Sequence, residues 1–462
     1  MATQTKRRKT SARKPARAAK RRAITPEDML RFTLVGSPQI SPDGESIVFV
    51  HKQVGKKNEY VTNLWMVDVS GGEPRQFTSG GKDSHPRWSH DGSRIAFISA
   101  REKTNPQVYT IDANGGEAVA LTDFPEGSIE SFKWSGNGKW LAVEFRAQDA
   151  QWTEQAKKER KDSGASTPPR VLDHYWYRLD GDGYFNAQRY ALYLVDSKTG
   201  KHRQVYAKDA LGYFPYDFSP DSKKIVIATN RDQRALLKPW NSDLYILTIA
   251  SGNVSKLGNL PKGPKTAVCW SPDGQSIAYG GRISEDSEYS VENLEVFVCN
   301  ARGGNARSLT ANEDYCLMAI TLTDTSDAAF DANIQWSHDS KRIFMKLGWH
   351  GESHVASVPA KGGKIAFHTS GTTDQDVGNL CVDGSRIALT GATATSLGEI
   401  YVGAVGAKSI RTKQLTNFNG PLLSKVQTAG ISSHWVKSTD GAKVQVWIMK
   451  PPDFKASRKY PA

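Results

Sequence analysis

Two histidines four residues apart, in His350-Gly351-Glu352-Ser353-His354, have the spacing at which one helix face offers two ligands to a metal ion. Helical zinc sites of that kind read His-Glu-x-x-His, with the glutamate as general base; this segment lacks that order and lies between strand-like runs. The same residues are the nearest approach to Gly-x-Ser-x-Gly, in which a serine on a sharp strand-to-helix turn is presented to its general base. Gly351-Glu352-Ser353-His354-Val355 lacks the second glycine, and no other pentapeptide in the chain comes closer. Asp180-Gly181-Asp182-Gly183 opens like a calcium loop, but the later ligand positions are missing, so a plain turn is the reading. The pairs Gly71-Gly72, Gly115-Gly116, Gly303-Gly304 and Gly362-Gly363 are not followed by the Lys-Ser/Thr of a phosphate loop. No catalytic residue, metal ligand or cofactor is therefore assigned. What remains is Arg178, Asp180, Asp182 and Tyr184, in the aromatic stretch 173–185, as candidates for controlling substrate access. Against that stands a plain aromatic strand packed on its own sheet.

The elements around these residues are repeats. Pro38-Gln-Ile-Ser-Pro-Asp43-Gly44-Glu-Ser-Ile47-Val-Phe49 recurs with turns at Asp91, Asn137, Asp221, Asp273 and Asp339, and in degraded form at Asp383. Apolar alternation on both sides of the turn predicts two half-buried strands. In the turn, Pro presets φ, Asp bonds nearby backbone and Gly takes the left-handed position. A third strand follows each copy, as in Leu64–Asp68 and Val108–Asp112, then a Gly-rich turn and a short fourth strand ending in apolar-Thr, as in Phe77-Thr78 and Leu121-Thr122. Four antiparallel strands per unit make a propeller blade, and no single blade can bury both its faces alone. Seven copies predict an all-β, seven-bladed β-propeller. The turn residues recur at intervals of 48, 46, 84, 52, 66 and 44 residues, so the long intervals hold insertions. The main one spans 146–190: a polar, helix-permissive run, then Thr167-Pro168-Pro169, then the aromatic stretch. Insertions between blade strands often carry binding function.

The net charge of +13 is a property of one end. Residues 1–22 hold ten basic side chains and no acidic one, which leaves +3 for the rest. That segment has no apolar core for a signal peptide and is expected to be a disordered basic tail. Binding of nucleic acid through it is a minor alternative. No apolar run reaches the ~18 residues a membrane helix needs, so no membrane partner is expected. Cys269, Cys299, Cys316 and Cys381 are too few for a disulfide framework. A cytoplasmic location is the expectation.

Two further segments point to a family. Thr25-Pro26-Glu-Asp28 reads as a short capped helix leading into the first repeat. Residues 431–452 form a hairpin about Asp440-Gly441, followed by Lys450-Pro451 and Lys459-Tyr460-Pro461. This order resembles the acylaminoacyl-peptidase and dipeptidyl-aminopeptidase branch of the prolyl oligopeptidase family, serine peptidases in which a propeller precedes an α/β-hydrolase. Tyr177-Arg178-Leu-Asp180-Gly-Asp182-Gly-Tyr184 also looks like a segment of that branch's propellers. The resemblance covers about residues 24–462; the Ser-Pro-Asp-Gly copies alone are shared with Tol-Pal-type translocation propellers. It implies a propeller over 23–420, and a linker with the first hairpin of a truncated hydrolase domain over 421–462. It also implies an oxyanion loop and nucleophile beyond residue 462. The expected function is the non-catalytic propeller part of a serine exo- or oligopeptidase, capping the hydrolase and restricting access to short peptides. The alternative is a stand-alone propeller acting as a binding scaffold. Peptide specificity and oligomeric state are left open.

Overall fold

The computed structural model describes residues 21–101, 105–239, 241–284, 293–315, 317, 332–406 and 409–461. It divides into two units, one over Leu30–Phe418 and the other holding the described residues before Leu30 and after Phe418. Most of the basic tail, Cys316 and residues 318–331 lie outside the described residues.

The larger unit is a propeller-like array of antiparallel sheets. Five are four-stranded and take their strands in chain order, apart from the insertion within the third. The first runs Thr33–Ile40, Ser46–Val54, Tyr60–Asp68, Arg75–Gln76. The runs from Ile334 to Phe367 and from Asp374 to Gln414 each supply four strands, joined into one eight-stranded sheet by a single parallel pair, Ser353 with Asp374.

The repeated turn shows why its residues recur. In the second copy the Ser89 hydroxyl donates to Asp91 Oδ1 at 2.6 Å, Asp91 Oδ1 accepts from Ser93 N, and Ser89 Oγ accepts from Arg94 N. The turn thus satisfies the backbone groups that a reversal would orphan. The fourth residue is left-handed in every copy, including Ser222 (φ 56°) and Ser340 (φ 58°), which stand where other copies have glycine. Those two serines also accept bonds from the turn of the preceding copy, Asn137 N to Ser222 Oγ and Asp273 N to Ser340 Oγ. The apolar-Thr endings have an equally local cause. Thr78, Thr122, Thr310 and Thr416 each accept a backbone N–H of the third strand, from Leu64, Val108, Val296 and Ile400.

The apolar residues of each sheet are buried against its neighbours. Val48, Leu64 and Met66 of the first sheet pack on Ile95, Phe97 and Tyr109 of the second. Val226 and Leu244 of the fourth pack on Ile277 and Phe297 of the fifth. Phe344 and Val355 meet Ile387 and Leu389 in the last two runs. Ile40, Ile47 and Phe49 of the first sheet pack on Ala388, Ile400 and Val402 of the last run. Each fully buried side chain of this size contributes ~1.5–3 kcal/mol, and the last contact ties the ends of the unit together.

In the smaller unit, Pro26–Met29 is one short helical turn. Asp28 Oδ2 accepts from Thr25 N at 2.9 Å and its carboxylate pairs with Arg22. Strands Gly430–Lys437 and Lys443–Lys450 form a two-stranded sheet about Asp440-Gly441, paired with no third strand among the described residues. No helix among the described residues is long and apolar enough to cross a membrane.

Candidate functional site

The insertion leaves the second strand of the third sheet, Trp140–Ala147, and returns at Ala191–Asp196. Its helix, Glu154–Ser163, is capped by the Thr153 side chain and ended by left-handed Gly164, before the Pro168-Pro169 expected to break it. Arg178–Leu179 then pairs with Gly183–Tyr184 across a tight turn in which Gly181 has φ 80°. The four candidates thereby separate. Arg178 and Asp180 are exposed and 3.7 Å apart, and Arg178 lies over the Tyr184 ring at 5.5 Å. Asp182 instead turns inward and accepts from Arg146 and from the Tyr213 hydroxyl, the latter at 2.7 Å.

This inner cluster is an anchor. Arg146 is buried and its guanidinium lies 4.4 Å from the Tyr190 ring and 4.7 Å from that of Phe185. Burial works against the Asp182 carboxylate, yet the Arg146 and Tyr213 bonds hold its pKa below the usual range. Burial and the same carboxylate push Tyr213 upward, so it stays a donor. Trp176 Nε1 donates to Leu211 O, and Arg189 donates to the carbonyls of Ala210, Asn186 and Trp176. Farther out, Arg170 is stacked between Trp152, at 3.6 Å, and Tyr184, at 4.4 Å. Val171 and Tyr175 beside it are strongly exposed. The aromatic stretch thus packs on its own sheet through Trp176 and Phe185, and presents Arg178, Asp180 and Tyr184 outward.

A second locus escaped the sequence analysis. Aligning the repeats on their turn serine places Gln39, Arg87, Lys133, Asp217, Cys269, Gln335 and Asn379 at one position of the innermost strands. They link neighbouring sheets. Trp88, Trp134 and Trp336 donate their indole N–H to the carbonyls of Gln39, Arg87 and Cys269 in the sheet before. Asp217 bonds Lys133 at 3.3 Å and Trp270 N at 2.8 Å. Gln335 accepts from Leu380 N, and Asn379 bonds Ile40. The signal was the residue two before each turn serine (Cys381 in the last copy), polar in every copy but the one with Cys269. It shows only when the copies are stacked, because the residue types differ.

The earlier motifs resolve differently. His350 and Gly351 form a two-residue hairpin turn, both with positive φ, between Arg342–Trp349 and Glu352–Pro359. His354 Nε2 meets Glu352 at 3.0 Å, so the two histidines share no helix face. No group of three or more His, Cys, Asp or Glu among the described residues is placed to hold a metal ion. Burial raises the thiols of Cys269 and Cys299 to about 12, which makes them poor nucleophiles.

The sheets form a propeller-like array, and the TolB beta propeller domain family matches residues 28–167. The chain is 25% identical to dipeptidyl-peptidase 5 of Porphyromonas gingivalis over 95% of its length and 62% of that protein's. It is 27% identical to the uncharacterized peptidase YuxL of Bacillus subtilis, covering 96% of this chain and 65% of the other. The acylaminoacyl peptidase of Pyrococcus horikoshii has the same fold, with a TM-score of 0.68 at 18% identity, over 94% of this chain and 60% of that one. The chain is thus similar to peptidases over nearly all of its own length, with a TolB-type propeller match inside it. It spans less than two thirds of the length of the curated relatives it matches.

Proposed function

We propose that this chain is the non-catalytic propeller part of a serine exo- or oligopeptidase, a seven-bladed ring that caps a hydrolase domain and admits short peptides. The supporting observation is a likeness to a dipeptidyl-peptidase over 95% of the chain, in a sequence with no Gly-x-Ser-x-Gly. The seven turn copies, and the packing of the last strand run on the first sheet, support seven blades. The ring would occupy 23–420, with the insertion 146–190, while 421–462 would link to and begin the hydrolase. A rigid ring restricts access by size: a short peptide threads or slips past it, and a folded protein does not. Arg178, Asp180 and Tyr184, held outward by the Asp182 anchor, would meet the peptide at the rim.

A chimera tests this reading. Residues 24–462 would replace the matching part of the Bacillus subtilis relative, ahead of that protein's remaining chain. Cleavage of short chromogenic peptides with exclusion of casein supports the cap. Equal cleavage of casein by the chimera and by a form lacking the ring contradicts it.

A further inference from the structure

Of the seven side chains at the inner-strand position, Arg87 is the one charge with no opposite partner among the described residues. One guanidinium N–H donates to Pro86 O at 2.7 Å, and among the described residues no carboxylate lies within ion-pairing distance. A guanidinium carries five N–H donors, so most of its capacity is unspent. The neighbours do not supply the missing anion. Asp217 divides its two oxygens between Lys133 and Trp270 N. Glu144, buried and facing Glu130, is pushed up to about 8 and stays protonated at neutral pH. His85 is held well below its ordinary value by burial and by Arg87 itself, so it is neutral. Arg87 and Lys133 against Asp217 leave one uncompensated positive charge.

Exposure says where that charge faces. Arg87, His85 and Cys269 are all partly exposed, yet burial shifts each strongly, Arg87 down to about 10. These side chains are crowded by protein yet keep some contact with water, so an ion from solvent can reach them. The strand is also bent there: its register shifts between Ser84 and Arg87, and His85 sits at φ 54°. A bulge of this kind re-aims the side chain that follows it, and a left-handed non-glycine residue is strained. An enclosed, unpaired charge is costly unless an anion completes it.

We propose that Arg87, flanked by Lys133, is an anion-binding site in the ring's central passage that takes the α-carboxylate of a short peptide. A guanidinium matches a carboxylate with two parallel hydrogen bonds. The proposal rests on the peptide-admitting ring described above. It gives that ring a preference for peptides entering carboxyl end first.

The test uses the full chain, a fluorescein-labelled hexapeptide with a free α-carboxylate, and the same peptide as its C-terminal amide. The acid is expected to bind at least tenfold more tightly than the amide. Arg87→Gln should bind both alike, and Arg87→Lys should fall between. If Arg87→Gln does not fold, the acid and amide comparison on the native chain decides alone. Equal binding of acid and amide to the native chain overturns the carboxylate site but leaves the peptide-admitting ring standing. Binding of neither peptide overturns both. Inorganic phosphate should compete only well above the peptide's own concentration; displacement at equal concentration assigns the site to phosphate and overturns the proposal.

Discussion

Asn379 and Ile40, 339 residues apart in the chain, exchange a pair of hydrogen bonds. Asn379 Oδ1 accepts from Ile40 N at 2.7 Å and Nδ2 donates to Ile40 O at 3.1 Å. The strands that meet here belong to the last and first runs of the larger unit, and none of its sheets mixes strands from the two ends. Apart from one backbone bond, Val382 N to Pro42 O at 3.1 Å, the two runs are held by side chains: this pair, the bonds of Arg386 to Gly44 O and Glu45, and Trp65 and Phe418 with rings 5.5 Å apart.

Breaking that seam should open the unit locally before it unfolds. Asn379→Ala leaves two buried backbone groups unpaired, at ~1–3 kcal/mol each. Gly378→Ala should cost more, since a Cβ there would collide with the Pro38 carbonyl oxygen. Hydrogen exchange should accelerate first in Thr33–Ile40 and Asp374–Leu380. Uniform acceleration across all sheets would mean the seam is not the weak point.

Glu144 makes stability depend on pH. Burial and the nearby Glu130 raise its pKa from 4.5 to about 8, so the folded chain holds a proton that the unfolded chain releases. Its contribution is intact below pH 4.5 and declines as pH rises to about 8. At ~1.4 kcal/mol for each pH unit crossed between those two values, the loss is on the order of a few kcal/mol. Glu144→Gln should therefore be more stable than the native chain at pH 8.5 and gain nothing at pH 4.5. Urea midpoints across pH measure this; parallel profiles for the two proteins would contradict it.

Trp270 and Trp152 separate core from insertion. Trp270 is 7% exposed in the packing between the fourth and fifth sheets, and truncation to Ala should cost about 3–5 kcal/mol. Trp152 is held mainly by the stacked Arg170, a contact of ~0.5–1 kcal/mol at an exposed site. Thermal unfolding of the two alanine variants should differ accordingly, and equal losses would place the insertion in the core.

Most of the fold was legible because each repeat states its geometry locally. The turn serine and aspartate, the left-handed fourth residue and the terminal threonine each satisfy backbone within a few residues. What joins one sheet to the next was not. Lys133 reaches Asp217 across the long insertion, and Arg146 holds Asp182 within it; no local pattern announces either pair. The candidate stretch 178–184 was found for its composition. Its division into an anchored Asp182 and an exposed Arg178, Asp180 and Tyr184 depended on Arg146 and Tyr213, outside the motif. Arg87, which has no ion-pair partner among the described residues, was invisible for the opposite reason, since a missing partner leaves no trace in sequence.

On the function proposed above, residues 1–462 would contribute a ring and no catalytic serine. The direct measurement treats the 462-residue chain with a fluorophosphonate probe and with chromogenic aminoacyl and N-acyl-peptide substrates. The account predicts no labelling and no turnover, because the sequence holds no serine on a Gly-x-Ser-x-Gly turn. Turnover that the probe abolishes would contradict it.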